Sequence, residues 1–203
     1  MIALIDYGMG NLRSVQKALE HTGLQVKTTS DVSVMRKSKA IVLPGVGSFQ
    51  AAMAELKKNK LDQEIIKSIK DGKPYLGFCL GLQLLFDTSD EGHASGLGVF
   101  PGKVLRFPNW MKVPHMGWNQ VNYKKDNPLN QSMQLADEYY YFVHSYFVAP
   151  TLNDICLATS TYGQEFVTAI MTKNVIATQF HPEKSQIVGL NFLEAAAKHL
   201  GLK

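Results

Sequence analysis

Cys79 lies in Pro74-Tyr75-Leu76-Gly77-Phe78-Cys79-Leu80-Gly81-Leu82-Gln83-Leu84-Leu85-Phe86, with Gly77 two residues before it and Gly81 two after. The first half is a short apolar run that reads as a buried strand, and the second half has helical periodicity. Gly-x-Cys-x-Gly at a strand-to-helix switch is the spacing of a nucleophile elbow, with a thiol where α/β-hydrolases place a hydroxyl. A strand that turns straight into a helix brings the two backbones together, so only small residues fit on either side of the nucleophile. The thiol then stands at a helix N-terminus, where the dipole favours a thiolate and free N–H groups can receive an anion. The plain alternative is a buried cysteine between two packing glycines.

A thiolate nucleophile needs a base, and the base needs an orienting group. Six histidines are available: His21, His93, His115, His144, His181 and His199. His181, in Gln179-Phe180-His181-Pro182-Glu183, ends an apolar strand and has a carboxylate two residues on. In extended backbone positions i and i+2 share a side, so Glu183 flanks His181 while Pro182 faces away and keeps His181 extended. His144, in His144-Ser145-Tyr146, is the rival base, but it lacks such a carboxylate. His21 and His199 fall on helix ends and read as solvent-facing. No two His or Cys have ligand spacing, so no metal site is expected. Acyl transfer through a thioester also needs an oxyanion hole. One donor is the N–H of Leu80, after the nucleophile; the other comes from Gly45-Val46-Gly47, at Val46 or Gly47, where glycines allow close approach to a ligand.

These groups need a sheet edge to bring them together. Ile2-Ala3-Leu4-Ile5 reads as a first buried strand, followed by a helix capped at Asn11, with a stripe of Leu12, Val15, Ala18 and Leu19 and a stop at Gly23. Gly8-x-Gly10 after that strand invites a dinucleotide site, but Arg13 occupies the third small position and the fingerprint fails. Further strands are expected over 24–29, 40–43 and 75–79, and helices over 30–38, 49–58 and 61–71. This βαβαβαβα order predicts an α/β fold, with a mostly parallel central sheet covered on both faces by helices. Ligands in such sheets bind at the carboxyl ends of the strands, which is where both Gly45-Val46-Gly47 and Cys79 fall. From Glu91 to about Pro150 the helical period is lost, and strands are expected at 104–107, 117–121 and 139–144. Additional antiparallel strands follow at 155–161, 166–171 and 175–180, with turns at Tyr162-Gly163 and Lys173-Asn174. Ser185 is the cap of a last helix burying Ile187, Leu190, Phe192, Leu193, Ala196 and Ala197. No repeat or linker appears, and residues 1–203 read as a single domain.

Composition bounds the rest. A 45% hydrophobic share with 19% charged residues belongs to a globular chain with a sizeable core. Net charge is +4 without a dense Lys/Arg run, so no nucleic-acid partner is expected. No apolar run approaches the ~18 residues of a membrane span. The N-terminus is too short and too soon acidic for a signal peptide. Two cysteines, Cys79 and Cys156, form neither a metal pair nor a disulfide framework, which points to the cytoplasm.

The cysteine elbow, the Pro-Gly-x-Gly loop and the C-terminal His-x-Glu, in this order, resemble the class I (triad) glutamine amidotransferases. Ile5-Asp6-Tyr7-Gly8-Met9-Gly10-Asn11-Leu12, Leu43-Pro44-Gly45-Val46-Gly47, Pro114-His115-Met116-Gly117-Trp118-Asn119 and Gln179-Phe180-His181-Pro182-Glu183-Lys184-Ser185 resemble one branch, the glutaminase subunits of imidazole glycerol phosphate synthase. The resemblance implies hydrolysis of L-glutamine to glutamate and ammonia through a γ-glutamyl thioester, with a Cys79, His181, Glu183 triad and no cofactor. It implies a (β/α)8 barrel synthase subunit as partner in a heterodimer of histidine biosynthesis. Gln83, Ser145 and Tyr146 then hold the amino and carboxylate groups of glutamine, while Asn11, Trp118, Tyr141 and Lys184 face the barrel. Three alternatives stay open: a γ-glutamyl or peptide cysteine hydrolase of the same fold, the glutaminase of another synthase such as that of pyridoxal phosphate, and a scaffold with a degenerate site.

Overall fold

The computed structural model describes residues 1–124, 126, 128–131 and 138–203. Its first half alternates strands and helices: β1 (Ile2–Ile5), α1 (Leu12–His21), β2 (Val26–Thr29), α2 (Val32–Lys37), β3 (Ile41–Gly45), α3 (Phe49–Lys58), α4 (Leu61–Lys70) and β4 (Tyr75–Cys79). Period-two alternation sorts the strand side chains into two cores. Ile2, Leu4, Val42, Leu76 and Phe78 pack with Val15, Ala18 and Leu19 of α1. Ala3, Ile5, Ile41, Leu43 and Tyr75 pack with Met35, Leu56 and Ile65 from α2, α3 and α4 on the other face. Burial on both faces is why these strands are apolar throughout instead of alternating.

The chain after Cys79 departs from expectation. The helix α5 is a single turn, Leu80–Gln83, and Phe86–Ser89 is a strand, β5. Leu80, Leu82, Leu84, Leu85 and Phe86 are all buried, so the run has no polar face from which to distinguish a helix. The backbone settles it: the N–H groups of Leu97 and Val99 donate to the carbonyls of Leu84 and Leu85, which a longer helix would have used. Then come β6 (Ala94–Ser95), β7 (Phe100–Arg106), β8 (His115–Tyr123), β9 (Glu138–His144), β10 (Tyr146–Pro150), β11 (Cys156–Tyr162), β12 (Gln164–Met171), β13 (Val175–Thr178) and α6 (Gln186–His199). Within α6, Phe192, Leu193, Ala196 and Ala197 are buried as expected, but Ile187 is 64% exposed. It occupies the first turn, before the helix settles on the sheet. No helix among the described residues is long and apolar enough to cross a membrane.

The strands join in the order β2-β1-β3-β4-β13-β12-β10-β7-β5-β6, with β11 pairing β12 and β8, and β9 pairing β8. The pairings β1–β2, β1–β3, β3–β4 and β4–β13 are parallel. Those of β12 with β13, β10 and β11 are antiparallel. Insertion of β13 beside β4 determines where the chemistry sits. Gly45 is the register partner of Cys79, and Thr178 that of Phe78, so β3, β4 and β13 end side by side.

Candidate active site

Cys79 has φ 52° and ψ −103°, a backbone conformation that non-glycine residues adopt at a cost of about 1–3 kcal/mol. That kink is what lets strand become helix within one residue, and it leaves the thiol at the elbow's tip. The glycines have the steric role their spacing predicts. A Cβ on Gly77 would lie 2.7 Å from the Gly81 carbonyl oxygen, and one on Gly81 would collide with the Leu43 carbonyl oxygen. Tyr75 braces the bend by donating its hydroxyl to the Gly81 carbonyl at 2.7 Å.

His181 Nδ1 lies 2.8 Å from Glu183 Oε1, and both side chains are 3% exposed. A carboxylate only accepts, so Nδ1 carries the proton and Nε2 is the working nitrogen. His181 is extended, as the following proline requires, but Glu183 is not on a continued strand. Pro182–Lys184 form a 3-10 turn, closed by Lys184 N–H donating to the His181 carbonyl at 3.0 Å. The turn, and not strand alternation, folds the carboxylate back beneath the imidazole. Ser185 occupies the cap position of α6 without capping through its side chain. Its hydroxyl instead donates to the His181 carbonyl at 2.7 Å and accepts from Tyr141 N–H at 3.0 Å, while His181 N–H donates to the Tyr141 carbonyl. His181 is thus clamped to β9 on both sides. Its Nε2 is buried and makes no hydrogen bond of ordinary geometry. Burial pulls the imidazole pKa down, but the thiolate of Cys79 and the Glu183 carboxylate outweigh it, holding the pKa well above 6.5. A negative charge on the Cys79 sulfur and a proton on His181 thus favour one another.

The rival base is disqualified by its own hydrogen bonds. His144 Nδ1 lies 2.8 Å from the Tyr146 carbonyl, so that nitrogen must donate, and Nε2 accepts from His115 Nδ1 at 2.8 Å. His115 Nε2 in turn accepts from the Asn119 amide at 3.2 Å. Both rings are neutral in this chain, and burial lowers their pKa values to about 4 for His115 and about 3 for His144. In the unfolded chain these imidazoles take up protons near pH 6.5. Depressed folded values mean stability present in full above pH 6.5 and lost as pH falls toward them. Unfolding near pH 5 therefore takes up about two protons from this pair, a slope of up to ~2.7 kcal/mol per pH unit. Urea unfolding between pH 5 and 7 is expected to show it, with His144→Gln roughly halving the slope. Equal slopes in the two proteins would contradict the neutral pair.

A cavity of about 430 Å³ opens at the elbow, lined by Cys79, Val46, Gly47, Gln83, Ser145 and Tyr146 among others. Leu80 also borders it, so the expected oxyanion donors and substrate residues converge on one space. Gln83 is 4% exposed, and its Nε2 donates to the Tyr146 carbonyl at 2.9 Å. Glu91 lines the same cavity and accepts from Phe49 N–H at 2.7 Å. It escaped the sequence argument because it lies in an irregular stretch without a motif. Tyr7 was missed as well. It is buried, and its hydroxyl donates to the Pro44 carbonyl at 3.0 Å, directly before the Gly45–Gly47 loop.

The four residues assigned to a partner face are not equivalent. Trp118 and Tyr141 stand mid-strand in β8 and β9 as direct register partners, not in loops or at strand ends. Their rings meet edge to face at 6.3 Å, Trp118 is 48% exposed, and Lys184 Nζ sits 5.7 Å above the Tyr141 ring. The β8–β9 pair lies off the main path of the sheet, and the face that carries Trp118 is left partly open. Asn11 is exposed and serves locally, its side chain accepting from Ser14 N–H at the start of α1.

The family model Glutamine amidotransferase class-I matches residues 3–194. The chain belongs to the class I glutamine amidotransferases. Within that family, imidazole glycerol phosphate synthase subunit HisH of Syntrophotalea carbinolica is 48% identical over 202 residues, covering 96% of this chain and 98% of the relative. The subunit HisH of Methanothermobacter thermautotrophicus is also 48% identical, over 194 residues, with 95% and 96% covered. A solved glutamine amidotransferase superposes with a TM-score of 0.78 at 17% identity, covering 99% of this chain and all of that one. PurLQS from Thermotoga maritima gives 0.76 at 19% identity, covering 100% and 98%. The last two establish the fold, and the HisH relatives establish the branch read from the motifs.

Proposed function

We propose that residues 1–203 act as one glutamine amidotransferase domain that hydrolyses L-glutamine at Cys79 and hands the ammonia to a (β/α)8 barrel synthase subunit in a heterodimer. Its relatives are named imidazole glycerol phosphate synthase subunit HisH, and with the glutamine amidotransferase domain this makes the chain the glutaminase subunit of that synthase, in histidine biosynthesis. The observation that carries the residue assignments is the meeting of β3, β4 and β13, which puts Cys79, the Gly45–Gly47 loop and the His181–Glu183 pair at one sheet edge. The free thiols of Cys79 and Cys156 suit a reducing compartment, and the proposed location is the cytoplasm.

In this mechanism the Cys79 thiolate attacks the carboxamide carbon of glutamine, and the carbonyl electrons move onto oxygen. Leu80 N–H and an N–H from Val46 or Gly47 receive that oxyanion. As the C–N bond breaks, His181 gives its Nε2 proton to the leaving nitrogen, which departs as ammonia. Water then attacks the thioester and yields its proton to Nε2. The C–S bond breaks, releasing glutamate and restoring the ion pair. Glu91 and the oxygen of Gln83 suit the substrate ammonium, because the Gln83 nitrogen already donates elsewhere. The Ser145–Tyr146 segment is left for the carboxylate.

Trp118, Tyr141 and Lys184 form the proposed docking stack. Interfaces favour aromatic anchors, so Trp118→Ala is expected to weaken binding of the synthase subunit by roughly 2 kcal/mol or more. Titration calorimetry with the purified barrel subunit checks this, together with an assay of glutamate formed. Unchanged affinity in a folded variant removes Trp118 from the interface. Absence of any glutamate from the wild-type complex overturns the whole assignment.

A further inference from the structure

Gln179 is fully buried, one residue past β13, and the mechanism above gives it nothing to do. Its hydrogen bonds have a polarity that can be deduced from one fixed point. The Tyr146 carbonyl can only accept, so the Gln83 atom 2.9 Å away is the amide nitrogen. That nitrogen also lies 3.0 Å from the Gln179 side chain, so the Gln179 atom facing it must be the oxygen. Gln179 therefore turns its nitrogen the other way, and Nε2 lies 3.6 Å from Cys79 Sγ. A backbone carbonyl thus dictates, through two amides, that a donor faces the sulfur. His144 Nδ1 donates to the same carbonyl and pins it further.

The sulfur needs such a donor. The Val143 carbonyl oxygen lies 3.9 Å from the same sulfur, a contact that suits a thiol and opposes a thiolate. Hydrogen bonds to the charged form of a group favour that form. We infer that Gln179 is a further catalytic residue, whose amide N–H stabilises the Cys79 thiolate and aims it at the cavity. The inference rests on Cys79 being the nucleophile. It also explains why Gln83 reaches both ways: the relay joins Tyr146, on the wall of the glutamine cavity, to the reacting sulfur.

The test compares Gln179→Met, similar in length but without a donor, with Gln179→Glu, equal in shape but an acceptor. Each variant is assembled with the synthase subunit, and iodoacetamide alkylation of Cys79 is followed by mass spectrometry across pH 5–9, alongside glutamine kinetics. Loss of a hydrogen bond to a charged group predicts about tenfold slower alkylation on the acid limb of the profile for Gln179→Met. That limb moves to higher pH, and kcat/KM falls by a similar factor. Gln179→Glu, which keeps the partner of Gln83 but presents a carboxylate to the sulfur, is expected to be worse. A purely structural role predicts the reverse order, since glutamate preserves shape and packing better. An unmoved profile in both variants, or a milder effect of glutamate, overturns the inference. Glutamine hydrolysis surviving in Cys79→Ala would instead overturn the assignment of the nucleophile, whatever the Gln179 variants do.

Discussion

Cys79→Ala is expected to lower glutamine hydrolysis by about 10⁴-fold or more while leaving the complex with the synthase subunit intact. In the proposed mechanism the Cys79 sulfur forms the thioester, and Cys156, the other thiol, cannot replace it. Cys156 begins β11 half-buried, with its Sγ directed to the Ala158 carbonyl and its pKa raised by burial. A glutamine-like electrophile should therefore label Cys79 and spare Cys156. His181→Ala is expected to approach the same loss, because the proton for the leaving ammonia has no other carrier. Glu183→Ala should cost less, since it sits one step from the chemistry. Its effect follows from the balance at His181: burial alone depresses the imidazole, and the 2.8 Å contact with Glu183 is part of what offsets it. Without the carboxylate, the ring loses both its fixed tautomer and a share of its proton affinity. The His181→Ala/Glu183→Ala pair should then be no worse than His181→Ala, because the carboxylate acts only through the ring. Additive losses, measured as kcat/KM in the assembled complex, would assign Glu183 work elsewhere.

The same residues show what could be read from sequence. The elbow was legible because its constraint is local: two backbones cross at Gly77 and Gly81, and only glycine survives there. The parallel half was legible because strands buried on both faces carry unbroken apolar runs, as in Ile41-Val42-Leu43. The pairing of His181 with Glu183 was anticipated, but its geometry was not: extended backbone was expected to carry both, whereas the chain turns into a 3-10 helix at Pro182. Long-range hydrogen bonds left no such trace. Nothing local in His115 or His144 says that His115 donates to the lone pair of His144 across β8 and β9. Gln179 had a weak signal, since it shares a strand side with His181 by alternation. Its role depends on Gln83, 96 positions earlier, and a single sequence does not pair such residues.

Glutamine turnover is expected to be slow in the free subunit and to rise by about 10²–10³ when the synthase subunit is docked with its own ligand bound, the range that one oxyanion donor supplies. The proposed switch is the Gly45–Gly47 loop. Gly47 has φ +109°, so its peptide has a conformation open to glycine and strained for other residues. The loop is packed against its neighbours: Tyr7 holds the Pro44 carbonyl, a Cβ on Gly47 would lie 2.7 Å from Met9 Cε, and a Cβ on Gly10 would lie 3.5 Å from Gly45 Cα. Residues 7–10 therefore lie against the loop, and Asn11, exposed at the end of that segment, is the proposed point at which a docked partner acts on it. Partner ligand shifts the loop only if it binds the active arrangement better, so the response must differ between empty and loaded synthase. Proline at 47 is not a usable probe, because its φ near −65° is incompatible with +109°. Gly47→Ala is the better one: it penalises the positive-φ arrangement by about 1–3 kcal/mol relative to any other. If that arrangement is the resting state, basal turnover rises; if it is the active state, stimulated turnover falls. In both cases the ratio of stimulated to basal rate shrinks by about tenfold. The measurement is glutamate release from the free subunit, from the complex, and from the complex with nucleotide ligand, for wild type and Gly47→Ala. Equal wild-type rates in all three conditions would leave a constitutive glutaminase, and an unchanged ratio in Gly47→Ala would move the switch away from this loop.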